Sequence, residues 1–501
     1  MSKLPQLKKV TEAQKKRPKI LLLSDDMSTT SGIATMSKTF VYGTVDQFNW
    51  VQLGAAINHT KEGQILDVSQ QVALETGITD ASVKIYPCNG YGDQAKLRKL
   101  IEAEKPDAIL HFTDPRFWQW LYQMEHEIHN KYNIPICYYA IWDNFPYPIW
   151  NKSSYASCDL IMGISKQSHL IHNKVLEHAG VKTFNLQNKP DLAEYKPGDV
   201  VTDYVPHGID SVAYNVIDEN HVDYEEYTKF KDQFLDKHKT EFLVFWTNRN
   251  IRRKSVSDVI LAFKIFVDSL PKSVRKKVGL LLHTKPVDPN GTDLVAVKRM
   301  VAPDCNIIFS PGKIPTNHMN YFYNLADVTV NIASNEGFGL SSAESIMAGT
   351  PVINNTTGGL QDQMRFVDDG GEWFTPNSEV TSNHRGTYKE HGEWAFPIYP
   401  SNISIQGSVT TPYIMDDRAC AKDLARVLKE VYEIPKEELQ RRGKVGREWV
   451  LSEESGMSGQ QMSAKMANGL QTILDIWKGG KRYEMIKVTE ADEIAESGIT
   501  L

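Results

Sequence analysis

Residues 335–351 read Asn-Glu-Gly-Phe-Gly-Leu-Ser-Ser-Ala-Glu-Ser-Ile-Met-Ala-Gly-Thr-Pro, and the mostly apolar run Asp327 to Ile332 stands just before them. A run of this kind suits a strand buried on both faces of a parallel sheet. Gly337 and Gly339 free the backbone to take positive φ and to approach a ligand without a Cβ in the way. Ser341 or Ser342 is placed to cap the following helix, and Gly349 with Thr350-Pro351 stops it. A strand end, a glycine loop and a helix start in that order make a place to hold phosphate. Glu336 and Glu344, with seven residues between them, would repel phosphate and suit hydroxyl donors such as those of a sugar or ribose. Singly, each part has a plainer reading: Ser341-x-x-Glu344 is a capping box, Glu336 a solvated carboxylate, and the glycines turn residues.

The 501-residue chain is too long for one ordinary core, so two domains are expected. A composition 41% hydrophobic and 24% charged is that of a soluble globular protein. The five cysteines form no CxxC pair, which argues against a zinc site or disulfide framework and for a reducing compartment. Met1 to Val10 lacks an apolar segment, and no run of apolar residues is long enough to span a membrane, so the expected location is the cytoplasm. The net charge of −6 argues against a uniformly basic nucleic-acid surface. The first twenty residues nevertheless hold seven Lys/Arg against Glu12, and Glu490 to Leu501 is acidic. Such a basic arm either touches phosphates or is a solvated tail.

Strands are expected at Lys19 to Ser24, Asn49 to Gly54, Val83 to Tyr86, Lys105 to His111, Pro135 to Ile141 and Cys158 to Ser165. Helical stretches between them, from Ile33 and over Asp93 to Glu104, predict a doubly wound sheet. Ligands of such sheets sit off the strands' carboxyl ends, which brings Gly32, His111 to Asp114, and Trp142 to Phe145 together. The loop aromatics Trp142 and Phe145 offer faces for a sugar ring or a base. A second series follows at Phe242 to Trp246, Gly279 to His283, Asn306 to Ser310 and Val352 to Asn354. Between its first strand and the helix Val256 to Leu270 lie Arg249 and Lys254. Cations at a helix start oppose the macrodipole, so an anion to bind is implied.

Together, Glu336-x7-Glu344, Arg249-x4-Lys254, the turn Pro206-His207-Gly208-Ile209-Asp210 and Thr357-Gly358-Gly359 resemble the retaining family-four glycosyltransferases of the GT-B fold. The resemblance is strongest from Val205 to Gly359 and implies two Rossmann-like α/β domains facing a cleft. It implies a metal-independent enzyme without cofactor whose donor is a nucleotide sugar, with a UDP-sugar the first expectation. Arg249 and Lys254 would clamp the diphosphate, helped by Gly337 and the amides of Phe338, Gly339 and Leu340. Glu344 would hold the ribose and Glu336 the sugar, with Lys313 and Ile314 against the base. Gly32 is what remains of the family's glycine pair. Asp143 stands beside Trp142, where the family carries a histidine before its aspartate. His111, Asp114, Trp142 and Phe145 are the acceptor candidates.

The organisation expected is a basic arm (1–18), an acceptor domain (19–215), a linker (216–240) and a nucleotide-sugar domain (241–460) with an insertion at about 372–411. A helix (461–487) crossing back to the first domain and an acidic tail (488–501) complete it. Ser31 to Ser37 and Asn49 to Gly54 also look like glycosyltransferases of tailed bacteriophages, some of which modify hydroxymethylated pyrimidines in DNA. A surface glycan, lipid or small molecule is the alternative acceptor. The competing classes are a sugar-nucleotide epimerase, a glycan phosphorylase with lysine-bound pyridoxal phosphate, and a non-catalytic sugar-nucleotide-binding protein. The sequence leaves the oligomeric state open.

Overall fold

The computed structural model describes residues 17–409 and 411–479. Most of the basic arm and all of the acidic tail lie outside them. The first sheet is built from β1 (Lys19–Asp25), β2 (Asn49–Ala56), β3 (Leu66–Asp67), β4 (Val83–Asn89), β5 (Ala108–Phe112), β6 (Ile136–Ala140), β7 (Leu160–Gly163), β8 (Thr183–Asn185) and β9 (Val200–Tyr204). Its spatial order is β3-β4-β2-β1-β5-β6-β7-β9-β8, parallel except for β3. The alternation along β1 explains its burial. Ile20 and Leu22 face a core that includes Phe40 and Met466, whereas Leu21 and Leu23 face one that includes Leu97 and Ile101.

The second sheet comprises β10 (Phe242–Thr247), β11 (Val278–His283), β12 (Asn306–Phe309), β13 (Val328–Asn331), β14 (Val352–Asn355) and β15 (Ala395–Ile398). All its pairings are parallel and its order is β12-β11-β10-β13-β14-β15. This is the dinucleotide-domain order, in which chain direction across the sheet reverses between β10 and β13. The loops after those two strands therefore flank the crevice at the switch point. They carry Asn248 to Ser255 and Ala333 to Gly339 respectively. The corresponding reversal in the first sheet lies between β1 and β5, beside Gly32 and Asp114. The helix Gly459–Ile476 returns to the first sheet, where Met462, Met466 and Leu470 enter the core with Phe40 and Met162.

Two expectations are corrected. The helix Leu340–Met347 has Gly339 as its N-cap, at φ +95°, with no side-chain cap. Ser341 is already the second residue inside the helix and so cannot cap it, and Glu344 accepts a hydrogen bond from Tyr323 instead, so there is no capping box. The stretch 372–411 is also not wholly an insertion, because β15 within it is the edge strand of the second sheet. Its Pro397 hides the pattern, yet an edge strand tolerates proline. The hairpin β16 (Asn402–Ser408) and β17 (Thr411–Arg418) lies outside both sheets. It docks on the first domain, where Met415 N donates to Phe145 O at 2.7 Å and Tyr413 meets Trp150 edge-on at 4.6 Å.

Candidate functional site

A cleft of about 810 Å³ opens where the carboxyl ends of both sheets face each other, lined by the loops after β10 and β13 and by loops of the first domain. At its floor Glu336 is buried, with 5% of its surface exposed. Lys254 Nζ donates to both carboxylate oxygens, 2.6 Å from Oε2. Arg253 Nη1 donates to the same Oε2 at 2.7 Å and to the Asn335 carbonyl at 2.7 Å. Burial alone would raise the Glu336 carboxyl, but the two cations and their hydrogen bonds outweigh it and hold it at about 2. Burial pulls Lys254 down to about 8, with Glu336 opposing. Glu336 is thus ionised and Lys254 still largely charged at neutral pH.

Glycine geometry allows this packing. Gly358, at φ +48°, lies under the Glu336 carbonyl, and a Cβ there would come within 2.0 Å of that oxygen. Gly339 turns the chain into the helix, and Gln363 Nε2 donates to the carbonyls of Phe338 and Gly339 at 2.7 and 3.1 Å. The helix's first N–H groups lack intrahelical acceptors and face the same end of the sheet as the cations. Phe338, Gly339 and Leu340 line the cleft.

Arg249 lines the cleft with a largely exposed side chain. Its Nε and Nη2 donate to Asp288 at 3.1 and 3.3 Å. Glu344 lies outside the cleft's lining and is fixed by Tyr323, whose hydroxyl donates to Oε2 at 2.7 Å. Burial raises its carboxyl to about 7, while hydrogen bonds from Tyr323 and Tyr214 act the other way. Lys313 and Ile314 sit on the loop after β12, away from the cleft lining, with Lys313 exposed.

From the first domain, Gly32 reaches Leu340: a Cβ on it would stand 3.1 Å from Leu340 Cδ1. Asp143 lies beside Gly337, where a built Cβ would be 3.8 Å from Asp143 Oδ2. Burial raises the Asp143 carboxyl to about 6, with Arg253 opposing and Glu336 reinforcing. Asp114 also lines the cleft and grips Arg116, whose Nε lies 3.0 and 2.9 Å from its two oxygens. Arg116 lies over the ring of Trp142 at 5.5 Å, and Trp142 Nε1 donates to the Asn144 carbonyl at 3.0 Å.

His111 is a correction among the acceptor candidates. Its ring is fully buried, hydrogen-bonded through Nδ1 to the Tyr122 hydroxyl at 2.6 Å and stacked on Tyr138. A strand-end residue whose side chain points into the layer between sheet and helices cannot meet an acceptor. Phe145 lines a neighbouring cavity and not the cleft itself. Arg116 and Arg253 were not among the expected site residues, although three successive basic residues at 252–254 are a signal that more than one cation is used. Sequence reasoning also assigned no role to Asp416, which accepts from Asn335 Nδ2 at 2.7 Å and pairs with Arg252.

Two Rossmann-like domains with their strand ends across a cleft define the GT-B fold. Three solved structures share it: Anabaena HepE in complex with UDP and glucose, with 12% identity, a TM-score of 0.58 and coverage of 91% of this chain and 100% of that one; sucrose-phosphate synthase from Thermosynechococcus elongatus, with 15% identity, a TM-score of 0.58 and coverage of 92% and 100%; and α,α-trehalose 6-phosphate synthase from Burkholderia multivorans, with 11% identity, a TM-score of 0.59 and coverage of 92% and 99%. Residues 228–383, which include both cation positions and both glutamates, match the family model "Glycosyl transferases group 1". A curated relative, the α-monoglucosyldiacylglycerol synthase of Acholeplasma laidlawii, is 26% identical over 161 residues. The aligned stretch covers 32% of this chain and 37% of that protein. The family match spans less than a third of this chain, and the solved structures, at 11–15% identity, show the GT-B fold.

Proposed function

We propose that the protein is a retaining, metal-independent glycosyltransferase that moves a sugar from a nucleotide sugar, a UDP-sugar first among them, to an acceptor hydroxyl in the cytoplasm. The observation that carries the reading is the Glu336 carboxylate, held ionised by Lys254 and Arg253 at the switch point and facing Asp143 across the cleft. Such a fixed carboxylate beside fixed cations suits a reaction that separates charge, with positive charge developing on the sugar and negative charge on the leaving diphosphate.

In this scheme Lys254 and Arg249 take the diphosphate, together with the N-terminus of the helix Leu340–Met347. Arg249 exchanges Asp288 for a phosphate oxygen. Glu344, held by Tyr323 beside the cleft, would turn to the ribose hydroxyls, and Lys313 and Ile314 would come to the base as the site closes on the donor. The bond between the sugar's anomeric carbon and the phosphate oxygen breaks, and the acceptor oxygen forms the new bond on the same face. The acceptor's proton passes to a phosphate oxygen of the departing nucleotide. Glu336 stabilises the sugar's transient positive charge, while Asp143 and Gly32 close the reaction site from the first domain.

A hydroxymethylated pyrimidine in DNA is the first acceptor to test, with glycans, lipids and small sugars as the other set. The experiment incubates the protein with UDP-sugars and each acceptor, measures UDP release, and looks for the added sugar by mass spectrometry of nucleosides or products. Acceptor-dependent UDP release with a retained anomeric configuration supports the reading. Interconversion of the nucleotide sugar without an acceptor would establish an epimerase instead. Binding without turnover towards any acceptor would favour a sugar-nucleotide-binding protein.

A further inference from the structure

A second cavity, of about 280 Å³, adjoins the cleft and shares Asp143 and Asn335 with it as a common wall. Its remaining sides come from four separate parts of the chain. Phe145, Pro146 and Tyr147 follow β6, and Gln167 stands in the first turn of the helix Lys166–His178. Thr381 and His384 lie in the stretch before β15, and Met415 and Asp417 are on β17. The cavity thus exists because the hairpin and the preceding stretch close against the first domain.

We propose, resting on the transferase reading, that this cavity is the acceptor subsite. It takes one neutral ring bearing a hydroxyl, which is presented past Asp143 to the sugar in the cleft. The size is at the lower limit for ligand pockets, enough for a single ring and too small for an extended chain. Phe145 and Tyr147, packed edge to face at 5.2 Å, and Met415 supply apolar surface for the faces of a ring. Gln167, Asn335 and Thr381 supply hydrogen-bonding groups for its rim.

The charge of the lining selects against anions. Its ionisable groups are Asp143, Asp417, His384 and Tyr147, with no lysine or arginine among the lining residues. A phosphate placed there would meet two carboxylates directly, while Arg253 and Lys254 act on Asp143 only from the cleft side and Arg385 acts on Asp417 from outside the lining. The five cations of the adjoining cleft, Arg116, Arg249, Arg252, Arg253 and Lys254, stand apart from this lining. Charge therefore sorts the two substrates, with the diphosphate in the cleft and the neutral ring beside it.

The wall between the chambers is held in place from both domains. Gln167 Nε2 donates to the Asp143 carbonyl at 2.7 Å, and Gln361 Nε2 donates to Gln167 Oε1 at 3.0 Å. Gln361 Oε1 in turn accepts from Asn383 N at 2.6 Å. On the hairpin side, Asp417 N donates to the Ser334 carbonyl at 3.0 Å. A subsite built on rigid, mutually bonded groups loses little freedom when it binds.

A sugar and a hydroxymethylated pyrimidine share this chemistry, and the test separates them. Saturation-transfer NMR is recorded on the full chain in the presence of UDP, with methyl α-D-glucopyranoside in one arm and 5-hydroxymethyl-2′-deoxycytidine in the other. The expected result is saturation of at least one probe by the wild-type protein and its loss in Thr381→Trp, which fills the cavity. His384→Trp carries the same expectation should Thr381→Trp fold poorly. Saturation of neither probe, or saturation that survives both substitutions, overturns the proposal. Calorimetric titration with UDP is run alongside. Failure of the wild type to bind UDP would count against the transferase reading itself, whereas intact UDP binding with both probes silent removes only the subsite.

Discussion

Lys254 and Glu336 form a buried ion pair, Nζ to Oε2 at 2.6 Å, across the point at which the second sheet reverses its direction. Neither partner is adjacent in sequence to the other, yet the strand order brings their loops together. The pair leaves a cation and a carboxylate side by side where a diphosphate and a sugar ring would lie. Lys254→Ala is expected to lower turnover by ~10²-fold or more, as the loss of an oxyanion donor does. Glu336 keeps Arg253 as a partner, so the fold should lose less than the ~3–5 kcal/mol that follows when a buried charge is left alone. Steady-state UDP release and a denaturation curve on the same variant separate the two effects.

The pH dependence of donor binding follows from Lys254, which burial pulls down to about 8. The ammonium is present below that pH and is lost above it, so affinity for UDP should fall as pH rises through about 8. Stability should move the other way. With its pKa in the folded state below the ordinary lysine value of about 10.5, the group binds fewer protons folded than unfolded between those pH values, and its contribution to stability grows with pH. Lys254→Arg, charged throughout, should bind UDP without that fall. Calorimetric titrations from pH 6.5 to 9.5 check both expectations.

Backbone room beneath the donor loop is as strictly limited. A Cβ at Gly358 would come within 2.0 Å of the Glu336 carbonyl, and the residue's φ is +48°. Gly358→Ala combines left-handed strain of ~1–2 kcal/mol with overpacking of ~1–3 kcal/mol. It is expected to lower the melting temperature and to weaken UDP binding by displacing Glu336. Gly180→Ala, at φ +70° but with open space around it, should pay only the strain and leave UDP binding unchanged. Thermal melts and UDP titrations on the two variants compare them directly.

The hairpin of β16 and β17 meets the first domain at the Tyr413–Trp150 ring pair and at the Met415 N to Phe145 carbonyl hydrogen bond. Tyr413→Ala removes an edge-to-face pair worth ~0.5–1.5 kcal/mol beyond its buried area. Faster hydrogen exchange across 402–418, with exchange in β10 and β13 unchanged, is the expected outcome.

Much of this architecture was legible from residue pattern. The apolar runs that became β1 and β10 have core on both faces, which is why they read as parallel strands without alternation, whereas β13 turns Val328 and Val330 to the core and buries Thr329 and Asn331 on its other face. The pair Glu336/Glu344 could be picked out by the glycine loop between them, and Arg249/Lys254 by the strand end and helix start that bracket them. The structure places Lys254 and Glu336 in contact but ties Arg249 to Asp288 and Glu344 to Tyr323. What stayed hidden was set by contacts distant in sequence. His111 looked available at a strand end until Tyr122 and Tyr138 enclosed it. Asp416 and Asp417 gave no local signal, since their partners Asn335 and Thr357 lie 81 and 60 residues away. β15 was obscured by Pro397, and only its pairing with β14 makes it a strand of the sheet.

The central claim is that Lys254, Arg249 and the N-terminus of the helix Leu340–Met347 together hold the diphosphate of a nucleotide sugar whose sugar lies against Glu336. The crystal structure of the protein with an unhydrolysed UDP-sugar analogue tests it most directly. The account predicts phosphate oxygens within hydrogen-bond reach of Lys254 Nζ and of the Arg249 guanidinium, released from Asp288. A diphosphate lodged elsewhere, with Lys254 still bound only to Glu336, would contradict it.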